Sequence, residues 1–468
     1  YTGFPEMLEG RVKTLHPKIH GGILARHDRG DDMAALAAHE IVTFELIVVN
    51  LYPFEATVAR KDVSFEEAVE QIDIGGPSLI RAGCKNHAFI TVATDPSQYA
   101  DILEQVTTRG ATTLELRRQL AQSAFALTAR YDRAIADYLA DRVEPVRFPR
   151  QWHVDLRRKE ILRYGENPHQ GAALYVQTDR GSGASLVESV QLAGKELSYN
   201  NLLDLDSALA IVRSLSEPAA VVIKHNNPCG AATSAELAVA TRAALDGDPQ
   251  SAFGSVLGFN RVVDAATAEV LAEPDRFVEA IVAPDFDNAA LEILTTKPKW
   301  KANVRLMKVG PLDRPSAHWQ LRQIEGGMLV QESDADVDVE SEWKVVSQPQ
   351  PKTEQWADLR FAWAIVRHVK SNAIVVAANR SLLGVGAGQM SRVDSVEIAI
   401  RKAGQRIGGS VLASDAFFPF ADSIHQAAAA GISAIIQPGG SRRDDEVIAA
   451  CNEHAIPMIF TGRRHFKH

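Results

Sequence analysis

The sequence predicts an α/β protein built in two parts, and three observations carry that prediction. Short apolar runs alternate with helical patterns from Tyr1 to about Arg142, a polar proline-containing stretch follows, and beyond it lie buried strands that end in polar turns.

In the first part the apolar runs are Phe44 to Asn50 (FELIVVN) and Ala88 to Val92 (AFITV), the alternation expected of a parallel sheet with crossover helices. Thr113 to Leu139, rich in Ala, Leu and Arg, reads as one long helix or two. Val143 to Arg150 is the linker candidate, which sets the expected borders at 1–142, a linker at 143–156, and 157–468. In the second part Ala219 to Lys224 (AAVVIK) reads as a buried strand ending in a turn at Asn226 to Gly230. Ala373 to Ala377 reads as another strand, followed by the turn Asn379-Arg380-Ser381 and a Gly-rich return, Leu383 to Gly388. A softer stretch within 309–351 is expected to divide this part into two subdomains.

Composition narrows the function classes. The 468 residues are 46% hydrophobic and 23% charged, which allows two or three cores and excludes a disordered or fibrous chain. The net charge of -9 gives no general attraction to nucleic acid or an anionic bilayer, so any basic site must be local. No apolar run reaches the roughly 18 residues a membrane span needs, and the start lacks the order of a signal peptide. The expectation is a cytoplasmic protein with neither nucleic-acid nor membrane partners. Cys84, Cys229 and Cys451 lie far apart with no C-x-x-C pair, which disfavours a disulfide framework or a cysteine-rich zinc site. A motif-dense stretch begins at Tyr1 with no strand or helix leading into it, so the first domain is expected to lack its start.

The strongest local signal is Lys224-His225-Asn226-Asn227-Pro228-Cys229-Gly230, which places a cation, an imidazole and two amides at a strand end. Open sheets put ligand sites there. Histidine can take a proton near neutral pH and an ammonium can stabilise charge on a carbonyl oxygen; the same residues also suit a purely hydrogen-bonded turn. Pro228-Cys229-Gly230-Ala231-Ala232 invites comparison with the zinc deaminases, but Ala232 stands where their second cysteine belongs and no H-x-E precedes it nearby. In Leu162 to Gln170 (LRYGENPHQ), Arg163 offers a fork of donors for paired oxygens, or is a solvated surface arginine. Gly384 to Arg392 (GVGAGQMSR) lacks dinucleotide-binding spacing, leaving close backbone approach to a ligand or a bulge in a tightly packed strand. Asp73-Ile74-Gly75-Gly76-Pro77-Ser78 reads as a turn opening a helix whose free N–H groups could face an anion. Arg11, Lys13 and Thr14 add two cations and a hydroxyl suited to phosphate or a carbonyl. His16 and His20 stand four apart, yet Pro17 intervenes and no general-base Glu lies between them, so a metal is not expected there.

Together these segments resemble the bifunctional AICAR transformylase/IMP cyclohydrolase family over nearly the whole chain. The matching stretches include TGFPEMLEGRVKTLHPKIHGGIL from Thr2, NLYPF from Asn50, QIDIGGPS from Gln71, LRYGENPHQ from Leu162 and KELSYNN from Lys195. IKHNNPCGA from Ile223, SAFGSVLGFNR from Ser251, SDAFFPF from Ser414, QPGG from Gln437 and TGRRHFKH from Thr461 complete the set. The resemblance implies a methylglyoxal-synthase-like parallel-sheet domain, here truncated, followed by a transformylase domain of two cytidine-deaminase-like units. It implies formyl transfer from 10-formyltetrahydrofolate to AICAR, giving FAICAR, then dehydrative ring closure to IMP. No catalytic metal is implied, and the family works as a homodimer with shared transformylase sites.

By the same resemblance Lys224 and His225 are the transformylase pair, Asn372 positions the formyl group and Asp422 lies on the folate side. Arg163, Tyr164, Asn201, Arg392, Arg464 and Phe466 form the nucleotide-binding set. For the cyclohydrolase it points to Arg11, Lys13, Thr14, Tyr52, Asp73 and Lys85. Two departures stand out: Gly83-Cys84 where the family pattern has two alanines, and the absence of the family's opening strand–helix units with their Ser- and Lys-bearing phosphate segment. A zinc-dependent nucleobase deaminase and a non-catalytic nucleotide-binding module are the alternatives, separated by stoichiometric zinc and by binding without turnover.

Overall fold

The computed structural model describes residues 1–468 except 6, 144–146, 178–182, 313–318 and 335–337. Two compact units emerge, Tyr1–Trp152 and His153–His468. The break falls inside the expected 143–156 linker, of which 144–146 lie outside the described residues, as do 313–318 and 335–337 of the expected subdomain divide.

In the first unit, α1 (Pro17–Leu24), β1 (Leu46–Val48), α2 (Gly75–Lys85), β2 (Thr91–Ala93) and α3 (Leu114–Val143) carry the core. The strands pair in parallel, Leu46 opposite Thr91. The Ala-, Leu- and Arg-rich stretch is one uninterrupted helix. Ile80, Ala82 and Cys84 on α2 pack with Ile47, Ile90 and Val92, and with Ala121 and Ala124 of α3. Gly83 accounts for its own departure from alanine: a Cβ there would lie 2.7 Å from both Ile47 Cδ1 and Val92 Cγ2, so glycine lets α2 settle directly on the strands. The neighbouring Cys84 thiol is pushed up to about 11 by burial.

In the second unit a hairpin of β3 (Leu156–Leu162) and β4 (Ala172–Gln177) precedes one twelve-stranded sheet. After β5 (Val190–Ala193), the first half runs α4 (Tyr199–Arg213), β6 (Ala219–Lys224), β7 (Asn227–Thr233), α5 (Leu237–Leu245), β8 (Ser255–Phe259), α6 (Ala265–Leu271), β9 (Val278–Ala283), α7 (Asn288–Thr296) and β10 (Arg305–Lys308). After β11 (Lys344–Val345), the second half runs α8 (Thr353–Val366), β12 (Ile374–Ala378), β13 (Ser381–Gly386), α9 (Arg392–Ala403), β14 (Val411–Ser414), α10 (Asp422–Ala430), β15 (Ala434–Gln437), α11 (Asp444–Glu453) and β16 (Met458–Phe460).

The strand order β11-β16-β15-β14-β12-β13-β7-β6-β8-β9-β10-β5 shows one motif built twice, back to back. Each half opens on an antiparallel hairpin, adds a third strand antiparallel to the first, and continues in parallel. The halves meet where β13 crosses β7, Ser381 opposite Ala232. On one face α4 and α8 share a core, with Leu205, Leu209 and Val212 against the same cluster as Phe361, Trp363 and Val366. Each fully buried Leu or Phe there contributes about 1.5–3 kcal/mol. On the other face each half keeps its own helices and its own core.

The sequence reading is corrected at one hairpin: Asn227 to Thr233 is a strand, and the turn is only His225-Asn226. Pro228 and Gly230 suggested a longer loop. Gly230 instead serves packing, since a Cβ there would lie 1.9 Å from the Ala244 carbonyl oxygen of α5. The Gly-rich return of the second half answers to the same cause. Cβ atoms at Gly384 and Gly386 would meet Ala399 O at 2.1 Å and Ser395 O at 1.9 Å, so it is the α9 backbone that approaches closely.

Candidate active site

Lys224 and His225 stand at the end of β6, where His225 (φ 51°) and Asn226 (φ 62°) make a two-residue turn with both residues left-handed. Asparagine and histidine both enter that region more readily than most side chains, and at a small cost that the surrounding structure meets by holding the turn. The holding group is Asp204 of α4, whose Oδ1 accepts the Asn226 N–H (2.7 Å), while Ser207 Oγ donates to Asn226 Oδ1 (3.2 Å). Burial raises the Asp204 carboxyl above its ordinary range, partly offset by the turn N–H groups and the nearby His225 and Lys224. The Lys224 ammonium is half-buried and donates to the carbonyls of Gly254 (2.7 Å) and Phe253 (3.3 Å), while the His225 ring is exposed.

Asn227 joins this turn to the second half. Its Nδ2 donates to His225 O (3.2 Å), and its Oδ1 accepts the Lys370 N–H (3.0 Å). Two residues on, Asn372 is fully engaged: Nδ2 donates to Gln389 O (3.0 Å) and Met390 O (3.1 Å), and Oδ1 accepts from Arg392 Nη2 (2.8 Å). Arg392 is buried, with Nη1 donating to Asp415 Oδ1 (2.6 Å) and Ser414 Oγ (2.8 Å). Its place in the structure is behind Asn372, orienting that amide through a buried ion pair.

Ser371, bonded to Asp415 through its hydroxyl, also pairs with the final segment: its N–H donates to Lys467 O (2.9 Å) and its Oγ accepts the Lys467 N–H (3.1 Å). The Lys467 ammonium donates to His368 O (3.0 Å), and burial, with Lys370 nearby, holds its pKa below the ordinary lysine value. Arg464 and Phe466 flank His465, both exposed, the guanidinium 4.3 Å over the phenyl ring. His465 is buried. Its Nδ1 faces Asp334 Oδ2 (2.6 Å) and its Nε2 faces Asp338 Oδ2 (3.2 Å), an arrangement that favours the doubly protonated, charged ring. Burial opposes that charge, but the two carboxylates outweigh it and the pKa is raised.

A second group lies around the start of α4. Arg163 donates to Tyr164 Oη (3.0 Å) and stacks on its ring. Asn201 closes a capping box with Ser198 and donates to Glu279 Oε2 (3.2 Å). Arg305 completes the cluster; burial lowers its pKa, Glu279 opposes that, and Arg163 adds to it. Asn201 and Asp204, three apart on one helix face, link this group to the His225 turn. Asp422 stands exposed at the first position of α10, its Oδ1 accepting the Ser423 N–H (2.7 Å).

In the first unit Thr14, Tyr52 and Asp73 meet at the N-terminus of α2. Asp73 Oδ1 accepts the Gly76 N–H (2.7 Å) and Oδ2 the Tyr52 N–H (3.4 Å), while Thr14 Oγ1 lies only 2.8 Å from where a Cβ of Gly75 would stand. The helix start is thus partly filled by the protein's own carboxylate. The Asp73 N–H donates to Tyr131 Oη (2.8 Å), which ties this loop to α3. Lys13 is exposed beside a cleft of about 520 Å³, also lined by Thr2, Phe4, Met7 and His16. His16 Nδ1 caps α1 by accepting the Lys18 N–H (3.1 Å). Arg11 pairs with Glu70. Lys85 closes α2 at its other end, about 15 Å away by helical rise, and is not brought to this group within the unit.

Asp204, Asn227, Ser371, Asp415, Arg305 and Lys467 were not among the expected site residues. The available signal was positional: Asp204 and Asp358 hold the same place in α4 and α8, and each accepts N–H bonds from its own half's hairpin turn.

Residues 83–402 match the family described as AICARFT/IMPCHase bienzyme, and residues 1–78 match that described as MGS-like domain. Over its full length the chain is 62% identical to the bifunctional purine biosynthesis protein PurH of Rhodopirellula baltica, covering 89% of that protein. It is 50% identical to PurH of Persephonella marina and 47% identical to PurH of Bacillus subtilis, covering 90% of each.

Proposed function

Because the chain belongs to the bifunctional AICAR formyltransferase/IMP cyclohydrolase family, we propose that its residues divide the last two steps of purine biosynthesis between its two units. In the first step the AICAR amine attacks the formyl carbon of 10-formyltetrahydrofolate, the bond from that carbon to folate N10 breaks, and FAICAR results. His225 takes the proton from the attacking amine, and the Lys224 ammonium, anchored by two carbonyls, stabilises charge on the formyl oxygen. Asn372, set by Arg392, positions the formyl group, and Asp422 faces the folate. Arg163, Tyr164, Asn201, Arg464 and Phe466 hold the nucleotide, with Arg305 as an added cation.

FAICAR then closes its ring with loss of water in residues 1–142, and residues 157–468 carry the transfer. Closure needs the reacting groups held together, which Thr14, Tyr52 and Asp73 at the start of α2 suit, with Arg11 and Lys13 supplying charge. The reading extends to a cytoplasmic homodimer with transformylase sites shared between subunits. Met390, whose carbonyl binds Asn372, is 93% exposed, which fits a site completed by another surface. Among the described residues no helix is long and apolar enough to cross a membrane.

The observation that carries the proposal is the left-handed His225 turn, fixed by Asp204 and wired through Asn227 to the Asn372 segment. His225→Ala tests it. Formyl transfer is expected to fall by about 10²–10⁴ with ring closure of supplied FAICAR unchanged; undiminished transfer would refute the assignment.

A further inference from the structure

Outside the residues assigned to either site, α10 and the end of α11 bring three metal-ligating side chains together. His425, in the first turns of α10, presents Nδ1 to Nε2 of His454, the residue capping α11, at 2.8 Å with the rings edge to face. Glu453, the last residue of α11, adds a carboxylate oxygen, and the three donor atoms lie within 4.8 Å of one another. All three residues are exposed, so they are reachable from solvent and have room to adjust.

Two imidazole nitrogens this close share one proton between two lone pairs, which is the arrangement a cation can replace. With metal–nitrogen distances of about 2.0–2.1 Å in a tetrahedral site, the two nitrogens need to move apart by about half an ångström and the rings to turn toward a common point, which their exposure allows. Two imidazoles and one carboxylate suit zinc, nickel, cobalt or copper, whereas magnesium and calcium prefer oxygen ligands alone. We propose that His425, Glu453 and His454 form a surface site for a late first-row divalent cation, with water filling the open positions. The ion would brace α10 to α11, one helical turn beyond Asp422. The site stands on its own geometry and does not depend on the assignment of the formyl-transfer residues.

The test is titration of the full chain, stripped with a chelator, with Zn²⁺ by calorimetry and with Co²⁺ by its visible absorption. One equivalent binding in the micromolar range is expected, with millimolar Mg²⁺ not competing. His425→Ala and His454→Ala should each weaken binding by at least about tenfold, equivalent to about 1.4 kcal/mol, and Glu453→Gln by less, while formyl transfer without added metal stays at the parent level. Parent-like affinity in the His425→Ala/His454→Ala double variant would place the metal elsewhere and overturn the proposal. Absence of stoichiometric binding to the parent chain would do the same.

Discussion

The two halves of the large unit build the same hairpin and put it to different uses. In the first half the turn is His225-Asn226, braced by Asp204; in the second it is Asn379-Arg380 (φ 52° and 53°), braced by Asp358 at the matching helix position. The first turn displays an imidazole beside an anchored ammonium. The second spends its cation on a surface ion pair from Arg380 to Glu217. The position just after the third strand diverges in the opposite sense. Asn260 ties down local backbone at Ala219, Leu215 and Glu217, whereas Asp415 holds Arg392 and Ser371 behind Asn372. The fold thus offers equivalent positions twice, and the site takes the turn from one half and the strand entry from the other.

Substitutions that exchange or erase these differences test the comparison. The largest effect is expected from His225→Asn, which installs the residue type of the second turn: formyl transfer falls by about 10²–10⁴ while circular dichroism and melting stay near the parent. Next comes Asp415→Asn, which leaves the buried Arg392 charge without its carboxylate; chemical denaturation should show a loss of about 3–5 kcal/mol. Asn260→Asp should also destabilise, because the new carboxylate oxygen faces the Leu215 and Glu217 carbonyls to which the amide donates, but with formyl transfer retained in the folded fraction.

Asp204→Ala and Asp358→Ala each strip a turn of its acceptor and should each cost about 1–3 kcal/mol. Only the Asp204 variant should also lose formyl-transfer kcat, and equal activity losses would erase the distinction drawn between the turns.

A smaller effect concerns pH. The raised pKa of His465 means that its contribution to stability is complete below the ordinary value near 6.5 and is lost as pH rises through the higher folded value. Asp334 and Asp338 are lowered despite burial, so their share is present above the ordinary carboxylate range and lost in acid. Melting temperature should therefore decline into mild alkali in the parent chain and decline less in His465→Gln. The smallest effect belongs to Arg380→Ala: an exposed pair whose removal costs at most about 1 kcal/mol and leaves both activities intact.

Much of this was legible in the residues. AAVVIK and AIVVA are apolar, β-branched runs, and strands follow almost wherever they occur. Lys224 and His225 stood out by their chemistry, and the structure sets them at the end of β6 and in the turn that follows it. The strand at Asn227–Thr233 was hidden because Pro228 and Gly230 are loop residues in most settings, and only the closeness of α5 explains the glycine. The doubling of the fold was expected from the family resemblance and not from any repeat in the residues, since equivalent turns share backbone conformation but not side chains. Arg392 was expected in the nucleotide-binding set; its pairing with buried Asp415 is a long-range contact that local pattern does not carry.

The junction of β13 with β7 also bears on how the protein is made and lost. The two halves share one core beneath α4 and α8, so their docking joins segments far apart in sequence. Because the bridge from Asn227 to Lys370 spans that docking, partial opening of the junction should cost formyl transfer before it melts either half. Activity should fade at a lower denaturant concentration than helical signal, making the enzyme's own turnover a sensitive gauge of whether its halves are joined.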